Sequence, residues 1–227
     1  KYDLGVRRLE ELGLHVLPAP HALRGSAYLA HSPEARAEDV MWAFENPKVK
    51  AVIAAVGGND SLRVIPYIDR ESICRHPKIC IGYSDVMSLH LLCYRCGLSA
   101  FYGDNLLTTV AEAQGWHPYS RDWFERVLLD SSPIGAVEPP KEWTWEDTDY
   151  PHPAYVRTYY PCGGYTCLQG QGKARGRLFG GHMGLMELAG TPLEVTAADF
   201  EDALLFIEDI PAFFTPDGLA RFMGWLG

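Results

Sequence analysis

Ser84 is the residue whose type and surroundings best suit covalent chemistry. It follows the apolar run Ile79-Cys80-Ile81 and then Gly82-Tyr83, and it precedes Val86 to Tyr94, where apolar residues recur at helical spacing. A buried strand that turns directly into a helix holds a serine out of the sheet, beside the orphan N–H groups of the helix start. Serine hydrolases use that geometry to expose a nucleophile while the next residue's N–H faces the developing oxyanion. The plainer reading is a helix N-cap, since Ser and Asp are favoured there. A second apolar run, Ala51 to Val56, leads into Gly57-Gly58-Asn59-Asp60. Glycines at the carboxyl end of a strand let the backbone turn and approach a ligand, and in open α/β sheets ligands bind at those ends. If the two strands are neighbours, the N–H groups of Gly58 and Asp85 face one point near the Ser84 hydroxyl. Taken alone, Gly57-Gly58 reads as an ordinary turn.

A third apolar run, Ala203 to Ile207, ends in Glu208-Asp209. Acids just past a strand are common as plain surface residues, so Glu208 is a candidate that needs further support. The six cysteines include Cys93-Tyr94-Arg95-Cys96, a metal-ligand spacing that a second pair, Cys162 and Cys167, would complete as a four-cysteine site. Cys93 and Cys96 close a predicted helix, however, and cysteine also packs as a small hydrophobe. No metal is therefore expected, and a structural disulfide is disfavoured in a chain without a secretion signal.

The elements that must position these residues alternate. Tyr2 to Leu12 reads as a helix, His15-Val16-Leu17 as a short strand closed by Pro18, and Ser32-Pro33-Glu34 as the start of a helix running to about Glu45. Phe124 to Leu129 lies in the last helix of this half. Helices alternating with short buried strands predict an α/β domain with a parallel sheet. After Ser131-Ser132-Pro133 the helical periodicity fades and Pro, Gly, Thr, Trp and Tyr become dense. The expected organisation is an α/β nucleophile domain over residues 1–135 and a mostly β domain over residues 136–227 that carries Glu208. A formal net charge of −9 argues against a nucleic-acid partner. No run approaches a membrane span and no leader opens the chain, so a soluble, cytoplasmic protein is expected.

Taken together, these segments resemble the LD-carboxypeptidase family of serine peptidases (peptidase family S66), which includes the microcin C self-immunity proteins. The family's glycine motif is similar to Gly57-Gly58-Asn59-Asp60-Ser61-Leu62-Arg63-Val64-Ile65-Pro66-Tyr67-Ile68-Asp69, and its nucleophile motif to Pro77 through Asp85. Phe101-Tyr102-Gly103-Asp104 looks like the family's Phe-Tyr-Gly-Pro segment, with Asp104 in place of the usual proline. Trp143-Thr144-Trp145-Glu146 resembles a motif of the microcin-immunity branch. Gly170 to Gly181 resembles the family's glycine-rich stretch, and Leu204 to Asp209 its catalytic-glutamate strand.

The resemblance implies a Ser-Glu-His hydrolase that cleaves an amide or peptide bond. Ser84 would be the nucleophile, Glu208 would orient the base histidine, and the Gly58 and Asp85 N–H groups would form the oxyanion hole. Gly57, Asn59, Trp143 and His182 would contact substrate. Trp143 could stack on a nucleobase or simply pack under a loop, and His182 could be a loop residue. No cofactor is implied. The substrate would be a peptidyl- or aminoacyl-nucleotide antibiotic of the microcin C type or the L–D bond of a muropeptide, and the protein a homodimer with no membrane partner. The family's histidine stands downstream of the glutamate in a Gly-His motif, whereas all eight histidines here precede Glu208. The base, and a first strand ahead of Tyr2, are therefore expected outside these residues, and residues 1–227 alone should be close to inert. The alternative is a catalytically inactive, ligand-binding homologue lacking the triad histidine. A purely structural protein ranks behind both.

Overall fold

The short apolar runs Ala51–Ile53, Ile79–Gly82 and Phe101–Tyr102 pair as one parallel sheet in the computed structural model, which describes residues 1–227. The chain divides into two units, residues 1–132 with 150–154 and residues 133–149 with 155–227. In the first, α1 (Tyr2–Glu11), α2 (Ser26–His31) and α3 (Pro33–Glu45) precede β1 (Ala51–Ile53). There follow α4 (Arg70–Arg75), β2 (Ile79–Gly82), α5 (Met87–Arg95), β3 (Phe101–Tyr102) and α6 (Pro118–Leu128). Pro33 stands at the start of α3, where its missing N–H costs nothing.

The sheet order is β1-β2-β3. The register sets Ala51 opposite Ile79 and Ile53 opposite Ile81, then Ile81 opposite Phe101 and Gly82 opposite Tyr102. Every pairing is parallel, so each connection crosses over with helix, as the alternating pattern predicts. One core cluster gathers Leu9 of α1, Ile81 of β2, Leu106, Val110, Trp116 and Phe124 of α6. The Trp116 and Phe124 rings meet edge to face, 4.9 Å apart. Burying such side chains contributes roughly 1.5–3 kcal/mol each. Leu106–Val110 forms a π-turn whose first N–H groups donate to the carbonyls of Ala54 and Ala55, tying it to the end of β1. Arg8 donates to the carbonyls of Val110 and Glu112 at the far end of that turn.

Three sequence expectations for this unit change. His15-Val16-Leu17 is not a strand. A strand needs a ladder partner, and β1 pairs only with β2. The second apolar run keeps strand geometry only to Ile53, because the Ala54 and Ala55 carbonyls turn to the N–H groups of Leu106 and Leu107. The cysteines also pair: Cys74 of α4 is disulfide-bonded to Cys96 at the end of α5, while Cys93 turns inward to a side-chain hydrogen bond with Cys80. The Cys93/Cys96 spacing is thus divided between two sides of α5 and makes no ligand pair.

Closing a loop with a sequence separation of 22 stabilises a fold by about 3 kcal/mol through the unfolded chain. Reduction should accordingly lower Tm by roughly 6–12 °C. Thiol titration of the denatured chain should find four thiols before reduction, matching the four free cysteines, and six afterwards. Six without reductant would refute the pairing.

In the second unit, β4 (Glu142–Trp143) and β5 (Tyr160–Pro161) pair antiparallel. Next, β6 (Arg177–Gly181) runs parallel to β7 (Ala203–Ile207), with α7 (Ala197–Phe200) between them and α8 (Pro216–Leu226) after them. The expectation of a mostly β domain is corrected: its four strands are short, and α7, α8 and the 3-10 turn Met183–Leu188 stand beside them. The apolar composition of β7 predicts a buried strand, yet Leu204 and Leu205 are 37% and 39% exposed. β6 is the single ladder neighbour of β7. No helix is long and apolar enough to cross a membrane.

Candidate active site

Ser84 stands at the carboxyl end of the central strand. β2 ends at Gly82, Tyr83 is extended, and a 3-10 turn over Ser84–Val86 feeds α5. Ser84 has φ of +66°, a left-handed conformation that costs a non-glycine residue on the order of 1–3 kcal/mol. Hydrogen bonds from β3 and the loop after it fix the turn. The Ser84 N–H donates to the Tyr102 hydroxyl at 3.0 Å, and the Tyr83 N–H donates to Asn105 Oδ1 at 3.2 Å. Asn105 is fully buried, so its amide is itself held by its surroundings. Gly82 is required here because a Cβ would stand 2.8 Å from Ala54 Cβ and 2.9 Å from Val86 Cγ1. The N-cap reading of Ser84 is thereby corrected: neither the 3-10 turn nor α5 receives a side-chain cap.

The loop after β1 lies against this turn. A Cβ on Gly57 would sit 2.7 Å from Ser84 Cβ and 2.9 Å from Ser84 Oγ, so the backbone there passes directly over the serine side chain. The loop is held from below by Asp85. Its Oδ2 accepts from the N–H groups of Asp60 (2.9 Å) and Ser61 (2.8 Å), and its Oδ1 stands 2.8 Å from Ser61 Oγ. The Asp60 carboxylate in turn pairs with Arg36 of α3 at 2.8 Å. Gly57, Gly58, Ser84 and Asp85 are therefore brought together as the adjacent-strand argument requires, and Asn59 is exposed at the loop's tip.

Two titratable groups nearby are displaced by burial. His90 of α5 meets the Tyr102 ring edge to face at 6.0 Å, and its Nε2 is buried without a hydrogen-bond partner. Loss of hydration lowers its pKa to about 4. Asp104 is raised to about 7, chiefly by burial, against the opposing hydrogen bonds from Trp116 Nε1 (3.0 Å) and Thr109.

The remaining candidates belong to the second unit. Glu208 is exposed just beyond β7, and its N–H donates to the Gly181 carbonyl, which places it beside the end of β6. His182 follows that strand, and its Nδ1 accepts from the Gly184 N–H at 3.1 Å, so it caps the 3-10 turn. Trp143 is half-exposed on β4, with its ring 5.3 Å from that of Trp145. Trp145 in turn stacks on Tyr160 at 3.9 Å. Sequence reasoning missed Tyr102, Asn105, Ser61 and the side chain of Asp85. The available signal was a polar Asn105 between the apolar Phe101-Tyr102 and Leu106-Leu107, a pattern that asks what a buried amide satisfies.

Comparison with known proteins identifies relatives of the chain. Residues 1–103, which include Ser84, match the LD-carboxypeptidase N-terminal domain. The chain is 32% identical over 212 residues to a probable murein peptide carboxypeptidase of Bacillus subtilis, covering 92% of this chain and 58% of the relative. It is 26% identical over 185 residues to the microcin C7 self-immunity protein MccF of Escherichia coli, covering 81% and 54%. Its backbone superposes on an MccF-like protein from Streptococcus pneumoniae, crystallised with AMP, with a TM-score of 0.87 at 26% identity. That match covers 99% of this chain and 71% of the other. The chain thus spans somewhat over half the length of these curated relatives. These matches make the chain a member of the LD-carboxypeptidase (S66) family, similar both to its murein peptide carboxypeptidases and to its MccF-like proteins.

Proposed function

We propose that the protein is a serine hydrolase that cleaves an acyl–nitrogen bond, with Ser84 as nucleophile. The observation that carries this reading is the left-handed backbone of Ser84 at the strand end, with Gly57 packed over its hydroxyl. Strain held at one non-glycine residue by surrounding hydrogen bonds fits a side chain kept exposed for chemistry. Ser84 Oγ attacks the carbonyl carbon, its proton passes to a histidine oriented by Glu208, and the Gly58 and Asp85 N–H groups hold the oxyanion. The proton then goes to the leaving nitrogen as the acyl bond breaks. Water, deprotonated by the same histidine, hydrolyses the acyl-serine. His90 is unsuited to the role of base, since its Nε2 is buried and its imidazole is held neutral to about pH 4.

Between the two substrate classes, the half-exposed aromatic group Trp143, Trp145 and Tyr160 favours a nucleotide conjugate. A flat base can stack on such a surface. The AMP bound to the Streptococcus pneumoniae relative supports the same choice. The test gives the full-length protein aspartyl sulfamoyl adenosine in one vessel and a muramyl tetrapeptide ending in D-alanine in another. Release of sulfamoyl adenosine, with a fluorophosphonate adduct mapped to Ser84, is the expected result. Trp143→Ala should then raise KM by roughly tenfold, the loss of one stacked base, with little change in kcat. Cleavage of the tetrapeptide alone would move the assignment to murein. Neither cleavage nor labelling would favour the inactive, ligand-binding homologue.

A further inference from the structure

We propose that the Asp85 side chain, and not its backbone N–H alone, is a positioning residue that fixes the glycine loop against Ser84. This rests on the reading of Ser84 as nucleophile. The loop Gly57–Ser61 has no strand partner beyond Ile53, and glycine-rich backbone is costly to order. An oxyanion donor contributes only when it is held within a few tenths of an ångström of its place. Something must therefore supply that order.

Asp85 does so from the residue next to the serine. One carboxylate oxygen takes two consecutive N–H groups, those of Asp60 and Ser61, at 2.9 and 2.8 Å. Ser61 Oγ lies 2.6 Å from the Asp85 carbonyl and 2.8 Å from its Oδ1, so its one hydroxyl proton serves either acceptor. A Cβ on Gly58 would stand 3.1 Å from Oδ2, which means the loop's backbone rests on the carboxylate. Asp60, the other acid in the loop, is drawn instead to Arg36 at 2.8 Å and Arg63 at 3.4 Å. The loop over Ser84 Oγ and the turn that carries Ser84 are consequently joined through Asp85.

An asparagine at 85 can reproduce the pattern. Its Oδ1 accepts from both N–H groups, while its Nδ2 donates to Ser61 Oγ and that hydroxyl donates to the residue 85 carbonyl. Positioning and charge therefore make different predictions. In the full-length protein hydrolysing aspartyl sulfamoyl adenosine, Asp85→Ala should lower kcat by about 10²-fold, the scale of one lost oxyanion donor, with KM little changed. Amide hydrogen exchange at Asp60 and Ser61 should quicken in the same variant. Asp85→Asn should restore both readouts. Ser61→Ala, which removes the hydroxyl and keeps both N–H bonds, should give a smaller fall in kcat, and it serves where Asp85→Ala fails to fold. The proposal is overturned if Asp85→Ala keeps its kcat, or if Asp85→Asn is as impaired as Asp85→Ala. Unchanged exchange in the loop would also overturn it. Activity surviving in Ser84→Ala would instead remove the nucleophile reading, and this proposal with it.

Discussion

Alanine in place of Ser84 is expected to lower hydrolysis of the preferred substrate by about 10⁶-fold, the scale on which loss of a nucleophile disables a serine triad. The figure far exceeds the roughly 10²–10³ of a single oxyanion donor, so it separates the attacking group from its supporting cast. Alanine is a clean probe at this site. Both residues carry a Cβ and bear the same strain at φ of +66°, and Gly57 still packs on that Cβ. Thermal midpoint and ligand affinity should therefore stay near their original values while turnover disappears. Calorimetric titration with aspartyl sulfamoyl adenosine, alongside single-turnover rates, makes the measurement. Turnover within tenfold of the unmodified protein would show that another group attacks.

Replacing Asp104 with asparagine should stabilise the protein at pH 8 by roughly 4 kcal/mol and change its pH profile. The folded-state pKa of Asp104 is raised from 3.8 to about 7 by burial. Such a group contributes its stability below the unfolded pKa and loses it as pH rises through the folded value. At about 1.4 kcal/mol per pH unit, the interval from 3.8 to 7 accounts for the estimate. His90 works the other way, because its pKa is lowered from 6.5 to about 4. It favours the fold above pH 6.5 and destabilises it as pH falls toward 4, by roughly 3 kcal/mol. Between pH 4 and 6.5 the two slopes oppose and nearly cancel. Asp104→Asn removes one of them and keeps an acceptor for Trp116 Nε1, whose 3.0 Å bond holds the loop. Urea midpoints of the variant should rise with pH across that interval, while those of the unmodified protein stay nearly flat. Two curves that run parallel from pH 4 to 8 would refute the assignment of the slope to Asp104.

Both predictions depend on residues that differ in how plainly the sequence announces them. The central strand was legible because Ile79, Cys80 and Ile81 form an unbroken apolar run that Gly82 terminates. The same holds for Ala51 to Ile53 and the glycines after it, whereas the adjacency of the Gly57 loop and Ser84 was a condition of the sequence argument that the pairing of β1 with β2 meets. What periodicity does not report is which side chain satisfies which backbone group. Tyr102 and Asn105 reach Ser84 and Tyr83 across separations of 18 and 22 residues, and nothing local to either end encodes the meeting. Asp85 looked like an ordinary acid at a helix start, yet its carboxylate turns back to Asp60 and Ser61. His15-Val16-Leu17 failed for the converse reason: strand propensity describes a surface, and a ladder needs a partner. The Cys74–Cys96 pairing likewise follows from the packing of α4 beside α5, which spacing within Cys93-x-x-Cys96 cannot reveal.

The left-handed backbone at residue 84 sets selection for heat tolerance against selection for chemistry. Glycine is the residue that adopts φ of +66° freely. A population of variants sorted only by resistance to heating would drift toward glycine at this position. It would emerge more robust and without a hydroxyl at residue 84. On the proposed reading, the strain at residue 84 is what the chain bears to hold a hydroxyl at this point.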